Sequence, residues 1–182
     1  MSFLKFLQSK KNQGRLVVGP AQAYVVCDLQ SDTRDVLTSL TEFFRTTPDI
    51  FVCMDGITHA PSSPKDQNFD ALVQEIGRVV LVTSKWRDME TSVLSYYSVL
   101  YEVYCAVRDG SKCKFDLALS LEDCSLINEK AEVKNDIEQR LKTAMTTELT
   151  NPELEKARKK IVNRLIDLLS KLNESFINNN QC

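Results

Sequence analysis

The chain has 182 residues, 43% hydrophobic and 26% charged, with a formal net charge of −2 at pH 7. That length suits one domain with an appended helix, and that composition supports a normal core. The charge balance excludes a general nucleic-acid or acidic-membrane binder, which needs a basic surface, and no apolar run approaches the ~20 residues that span a bilayer.

Residues 1–19 form a basic segment with Lys5, Lys10, Lys11 and Arg15, and the first acid is Asp28. Two readings stay open: a mitochondrial presequence, or a short amphipathic piece docking Phe3, Leu4, Phe6 and Leu7. The α/β domain is expected over 20–150. Its first strand is Ala23 to Leu29, after the breaker pair Gly19-Pro20. A helix capped by Ser31 or Asp32 follows, with Val36, Leu37, Leu40, Phe43 and Phe44 predicted on one apolar face. The second strand is Ile50 to Met54, closed by Asp55-Gly56. A loop with Pro61 and Pro64 leads to a helix over about Asn68 to Gly77.

The third strand is Val79 to Thr83, ending in the polar turn Ser84-Lys85-Trp86. A helix over roughly Thr91 to Arg108 closes at Gly110, and the fourth strand is Phe115 to Leu119. Short apolar strands alternating with amphipathic helices predict a mainly parallel, doubly wound α/β sheet. One helix is expected over Ser125 to Met145. A last helix and its tail make up 151–182: Asn151 caps the helix, Pro152 takes its first turn, and Leu154, Ala157, Ile161, Leu165, Leu168 and Leu172 line one face. The tail SFINNNQC reads as frayed.

The six cysteines are Cys27, Cys53, Cys105, Cys113, Cys124 and Cys182. None forms a C-x-x-C pair, so no zinc site is expected, and free thiols in a reducing, intracellular compartment are. The phosphate-cradling G-x-x-x-x-G-K-[ST] and G-x-G-x-x-G loops and the G-x-S-x-G elbow are absent, so the motifs imply no cofactor. His59, the one histidine, sits in a loop and reads as solvated or, with a nearby Ser or Cys, as a base.

Asp28, Asp55, Ser84 and Ser120 fall at strand carboxyl ends, where open α/β sheets place ligands. The same residue types there also cap helices and begin turns. Trp86 can stack on a base or a partner, or cover the end of the core. Glu102 shares a helical face with Ser95, Ser98, Val99, Cys105 and Ala106. Small neighbours let a ligand approach, and partial desolvation suits a carboxylate to polarise a sugar hydroxyl or stabilise a developing cation. The alternative is a solvated surface glutamate.

The runs IGRVVLVTSKW and LYEVYCAVRDGSKCKFDLALS resemble the TIR-like (Toll/interleukin receptor-like) domains at the front of large repeat proteins in algae, oomycetes and other protists. Those carry a strand, a Ser-Pro-Trp turn, Trp-Cys-Leu-x-Glu on a helix, and an amphipathic strand. Here the turn is Ser84-Lys85-Trp86 and the helix motif falls on Ser98-Val99-Leu100-Tyr101-Glu102. DIFVCMDGITH is similar to the family's second strand. The resemblance implies a flavodoxin-like sheet of about five strands. It also implies either a protein-interaction module, acting by self-association or docking, or a hydrolase that cleaves NAD at the nicotinamide ribosyl bond. Glu102 would be the catalytic residue of the second, with NAD as substrate. Ser98 and Val99 stand where the family has Trp-Cys, which places interaction first, through a rim of Trp86, Ser84, Asp28 and Asp55.

Overall fold

Val79 to Val82 form the most deeply buried run of the chain, each at most 1% exposed. The structure, a computed structural model, describes residues 20–27, 32–47, 49–54, 69–83, 97–146 and 152–179, with side chains for all but 69, 97, 98, 121, 146 and 172–179. Four strands, β1 (Ala23–Cys27), β2 (Val52–Met54), β3 (Arg78–Val82) and β4 (Lys114–Ala118), form one sheet in the order β2-β1-β3-β4. Every pairing is parallel, with Val25 opposite Val80 and Val80 opposite Asp116. A parallel sheet buries both faces, which is why its inner strands are runs of valine and leucine rather than alternations of apolar and polar residues.

Alternation along the strands sorts two cores. Tyr24, Val26, Val79, Leu81, Phe115 and Leu117 point to the first face, and Ala23, Val25, Val80, Val82 and Ala118 to the second. The second face receives α1 (Thr33–Phe43) through Val36, Leu40 and Phe44. These recur every fourth residue, so they form one stripe. Asp32 caps the helix, its carboxylate accepting from the Arg34 N–H at 2.8 Å. Leu37, expected on this stripe, is instead 51% exposed, because the small Ser39 takes the buried flank of the helix. At the amino end of the same face the Arg78 guanidinium lies over the rings of Phe43 and Phe44 and donates to Asp116 at 2.8 Å. That contact ties the end of α1 to β3 and β4.

Of the other described helices, α2 (Phe69–Ile76), α3 (Tyr97–Val107), α4 (Leu121–Glu129), α5 (Ala131–Thr146) and α6 (Pro152–Asn179) lie on the first face. Gly77 and Gly110 stop α2 and α3 with φ of 73° and 80°. A side chain is strained in that left-handed region, so glycine is the residue that lets each helix turn back into a strand. The single helix expected over Ser125 to Met145 is two. Lys130 takes an extended conformation, its N–H closing α4 on Leu126 and its carbonyl receiving the Val133 N–H of α5. The bend lets Ile127, Ile137 and Leu141 all enter the core.

α6 packs on α3, α5 and β4. Ala157, Ile161, Val162, Leu165 and Leu169 are buried, while the flanking Leu154 and Leu168 are half-buried. The helix continues to Asn179, past the point at which the tail was expected to fray. Among the described residues no helix is long and apolar enough to cross a membrane. Leu165 is fully buried between α6 and the sheet layer. Leu165→Ala should therefore cost about 2–5 kcal/mol of unfolding free energy. Urea denaturation measures this, and an unchanged midpoint would show that the stripe is not packed.

Candidate functional site

In a parallel sheet the connecting helix returns against the strands. The first turn of α3 thus lies toward the carboxyl edge and its last turn toward the amino edge. Val99, Val103 and Ala106 face the sheet, and Tyr101, 42% exposed, points outward. Glu102 lies on the flank between them and is 7% exposed. It is a buried carboxylate in the helix layer, not the solvated glutamate of the alternative reading. Val99, Cys105 and Ala106 share its buried side, as the helical spacing predicts. Its charge is felt at Cys105. Burial pushes the Cys105 thiol up, Asp70 and Glu102 add to this, and the Tyr101 side chain and Arg108 oppose it.

A polar seam joins α2 to the same flank of α3. The Gln74 amide donates to the Cys105 carbonyl at 3.3 Å and to the Ser111 hydroxyl at 3.1 Å, and Arg108 donates to Asp70 at 2.7 Å. These bonds fix the rotation of α3 about its axis, and with it the side of the helix on which Glu102 is held.

At the carboxyl edge β1 and β3 are neighbours whose connections leave on opposite faces, the topological switch point at which open sheets of this kind bind ligands. Thr83 follows β3 there. It is 2% exposed, and its hydroxyl is buried without a hydrogen-bond partner among the described residues. Alternation beyond Val79 and Leu81 puts it on the first face, the face of Glu102. A buried unpaired hydroxyl costs free energy, which a ligand at this edge could recover. Thr83 was read from the sequence only as the end of a strand. Nothing in the sequence around Thr83 distinguishes a paired from an unpaired hydroxyl.

Of the rim residues predicted from sequence, Asp28, Asp55, Ser84 and Trp86 lie outside the described residues, as does His59. Ser120 caps α4, its hydroxyl accepting the Asp123 N–H at 3.1 Å, so it plays the capping role. Among the described residues no three His, Cys, Asp or Glu side chains cluster as metal ligands.

A concavity opens at the other end of the sheet. It has a volume of about 430 Å³ and lies between the end of α3, the turn into β4 and the middle of α6. Arg108, Lys160 and Arg164 stand at its rim, over Ala106, Cys113 and Phe115. The available signal was the four-residue spacing of Lys156, Lys160 and Arg164, which puts three cations on one helix face.

The described cysteines, Cys27, Cys53, Cys105, Cys113 and Cys124, are free thiols. Cys27 and Cys53 are half-buried against the core. Burial, with a carboxylate nearby (Asp116 and Asp123 respectively), pushes Cys113 and Cys124 up to about 11 from an ordinary 9.0. Two units less acidic means about 100-fold less thiolate near pH 8, partly offset by higher intrinsic nucleophilicity, a net loss of roughly tenfold. Cys113 and Cys124 should therefore alkylate at least about tenfold more slowly in the folded chain than in urea at pH 8. Peptide mass spectrometry reads the rates, and equal rates in the two states would contradict the burial.

Compared with known proteins, the chain matches no family model, no curated protein and no solved structure.

Proposed function

We propose that the chain is a protein-interaction module that acts by self-association or by docking into a larger assembly. The observation that carries this reading is the placement of two of the three exposed large apolar side chains among the described residues, the third being Val52 on the edge strand β2. Leu37 is 51% exposed on α1 and Tyr101 is 42% exposed on α3. These helices cover opposite faces of one sheet. A single exposed apolar residue needs no explanation. Two on opposite faces suit a head-to-tail contact, in which one face of a copy meets the other face of the next. The resemblance to TIR-like domains, some of which self-associate as adaptors, points the same way. The free cysteines fit an intracellular setting, cytoplasmic or mitochondrial.

Head-to-tail geometry makes a specific expectation. Leu37→Glu and Tyr101→Glu each remove one half of the contact and leave the other intact. Sedimentation velocity should show concentration-dependent growth of the unaltered chain and monomers of each variant. An equimolar mixture of the two variants should stop at the dimer. An unaltered chain that stays monomeric up to about 1 mM, the Kd scale of a contact worth some 4 kcal/mol, would sink self-association.

A second reading, NAD cleavage, is favoured by the burial of the Glu102 carboxylate on the same sheet face as the Thr83 hydroxyl, which has no hydrogen-bond partner among the described residues. Under it the carboxylate would polarise a ribose hydroxyl or stabilise the developing cation as nicotinamide leaves. Glu102→Gln keeps size and removes charge. Robust nicotinamide release by the unaltered chain, lost by orders of magnitude in Glu102→Gln, would promote this reading over interaction. No turnover in either is the result expected of the interaction module.

A further inference from the structure

We propose that the concavity at the amino edge of the sheet is a binding site for a small organic anion carried on an apolar body. It is independent of both functional readings. A volume of about 430 Å³ lies within the range of small-molecule sites. Its floor is apolar: Phe115 and Ala106 are 2% and 3% exposed, and Cys113, a thiol held protonated by burial, behaves there as a small hydrophobe. Its rim is cationic and comes from two elements. Arg108 closes α3, and Lys160 and Arg164 stand one turn apart on α6.

Each rim cation has a partner, and the partners decide what a ligand must displace. Arg108 is held by Asp70, outside the pocket lining. Lys160 pairs with Asp109, whose side chain is 91% exposed. Lys160 is only 25% exposed while Asp109 stands almost wholly in water, so Asp109 can turn into solvent while an incoming anion takes Lys160. Arg164 pairs with Asp167, which also binds Lys171 at 3.0 Å, so Asp167 keeps a cation if Arg164 turns to a ligand. The lining carries three cations, Arg108, Lys160 and Arg164, against the carboxylates Asp109 and Asp167, and Asp70 just beyond it neutralises Arg108, so the site becomes net cationic when Asp109 turns away. The carboxyl end of α3 opposes this with about half a negative charge, so the excess cation that meets a ligand is Lys160 released from Asp109. One directional donor completes the site. The Ser111 hydroxyl oxygen accepts from Gln74 and from the Cys113 N–H, which leaves its own proton to donate into the pocket.

The test is a two-dimensional amide NMR titration of the full chain with phenyl phosphate, beside inorganic phosphate and benzyl alcohol. Saturable shifts at 106–115 and 160–167 with phenyl phosphate, at a Kd of about 1 mM or below, are expected, with weaker binding of either half alone. The double substitution Lys160→Gln and Arg164→Gln should abolish the response while leaving the remaining resonances in place. Asp109→Asn, which releases Lys160, should tighten binding about two- to fivefold. The proposal is overturned if phenyl phosphate gives no saturable shift at the pocket. It is overturned equally if inorganic phosphate binds as well as phenyl phosphate, which is diffuse charge attraction. Weaker binding by Asp109→Asn would also overturn it, and that variant decides the matter should the double variant fail to fold.

Discussion

Everything in this fold depends on β3 being dry on both sides. Its four residues from Val79 to Val82 are at most 1% exposed, and it hydrogen-bonds to β1 on one side and β4 on the other. Because alternate residues point to opposite faces, this one strand is shared by both cores. A slip of one residue would send Val79 and Leu81 to the wrong layer and Arg78 away from Asp116 and the two phenylalanines. The polar pairing of Arg78 at the start of the strand thus marks the register that the apolar residues alone would satisfy in two ways.

The order and type of the elements were legible because parallel strands and amphipathic helices leave different periods. The strand centres at 23–27, 52–54, 78–82 and 114–118 fall within a residue or two of the expected ones, and the glycines that stop α2 and α3 stand where the periodicity breaks. What was not legible follows from packing. Lys130 is a good helix former, and no local signal separates α4 from α5; the bend exists because Ile127 and Ile137 must both reach one core. Leu37 reads as buried by composition and spacing, and only the closeness of α1 to the sheet selects Ser39 in its place.

The candidate site was legible to the same degree and for the same reasons. The helical face of Glu102 followed from spacing, since Val99, Cys105 and Ala106 do lie beside it. Its burial did not, because that depends on how α2 and the sheet seat against α3 through Gln74 and Asp70. Thr83 and the amino-edge concavity were invisible for a further reason: each depends on residues far apart in the chain meeting in space. Lys160 lies some fifty positions beyond Arg108 in sequence and shares a rim with it only because α6 folds back over α3.

That folding back also governs when the protein can be assembled. The first-face core joins Tyr24 and Val26 to Ile161, Val162, Leu165 and Leu169, so it spans most of the chain. During synthesis all four strands emerge before α6 does. At ordinary rates the roughly fifty residues from β4 to Leu169 take on the order of 3–10 s to appear. Over that interval Val103, Phe115 and Leu117 have no α6 to cover them, and a nascent chain in this state is a natural client for a holding chaperone. The first-face core can therefore close over Val103, Phe115 and Leu117 only after α6 has been made.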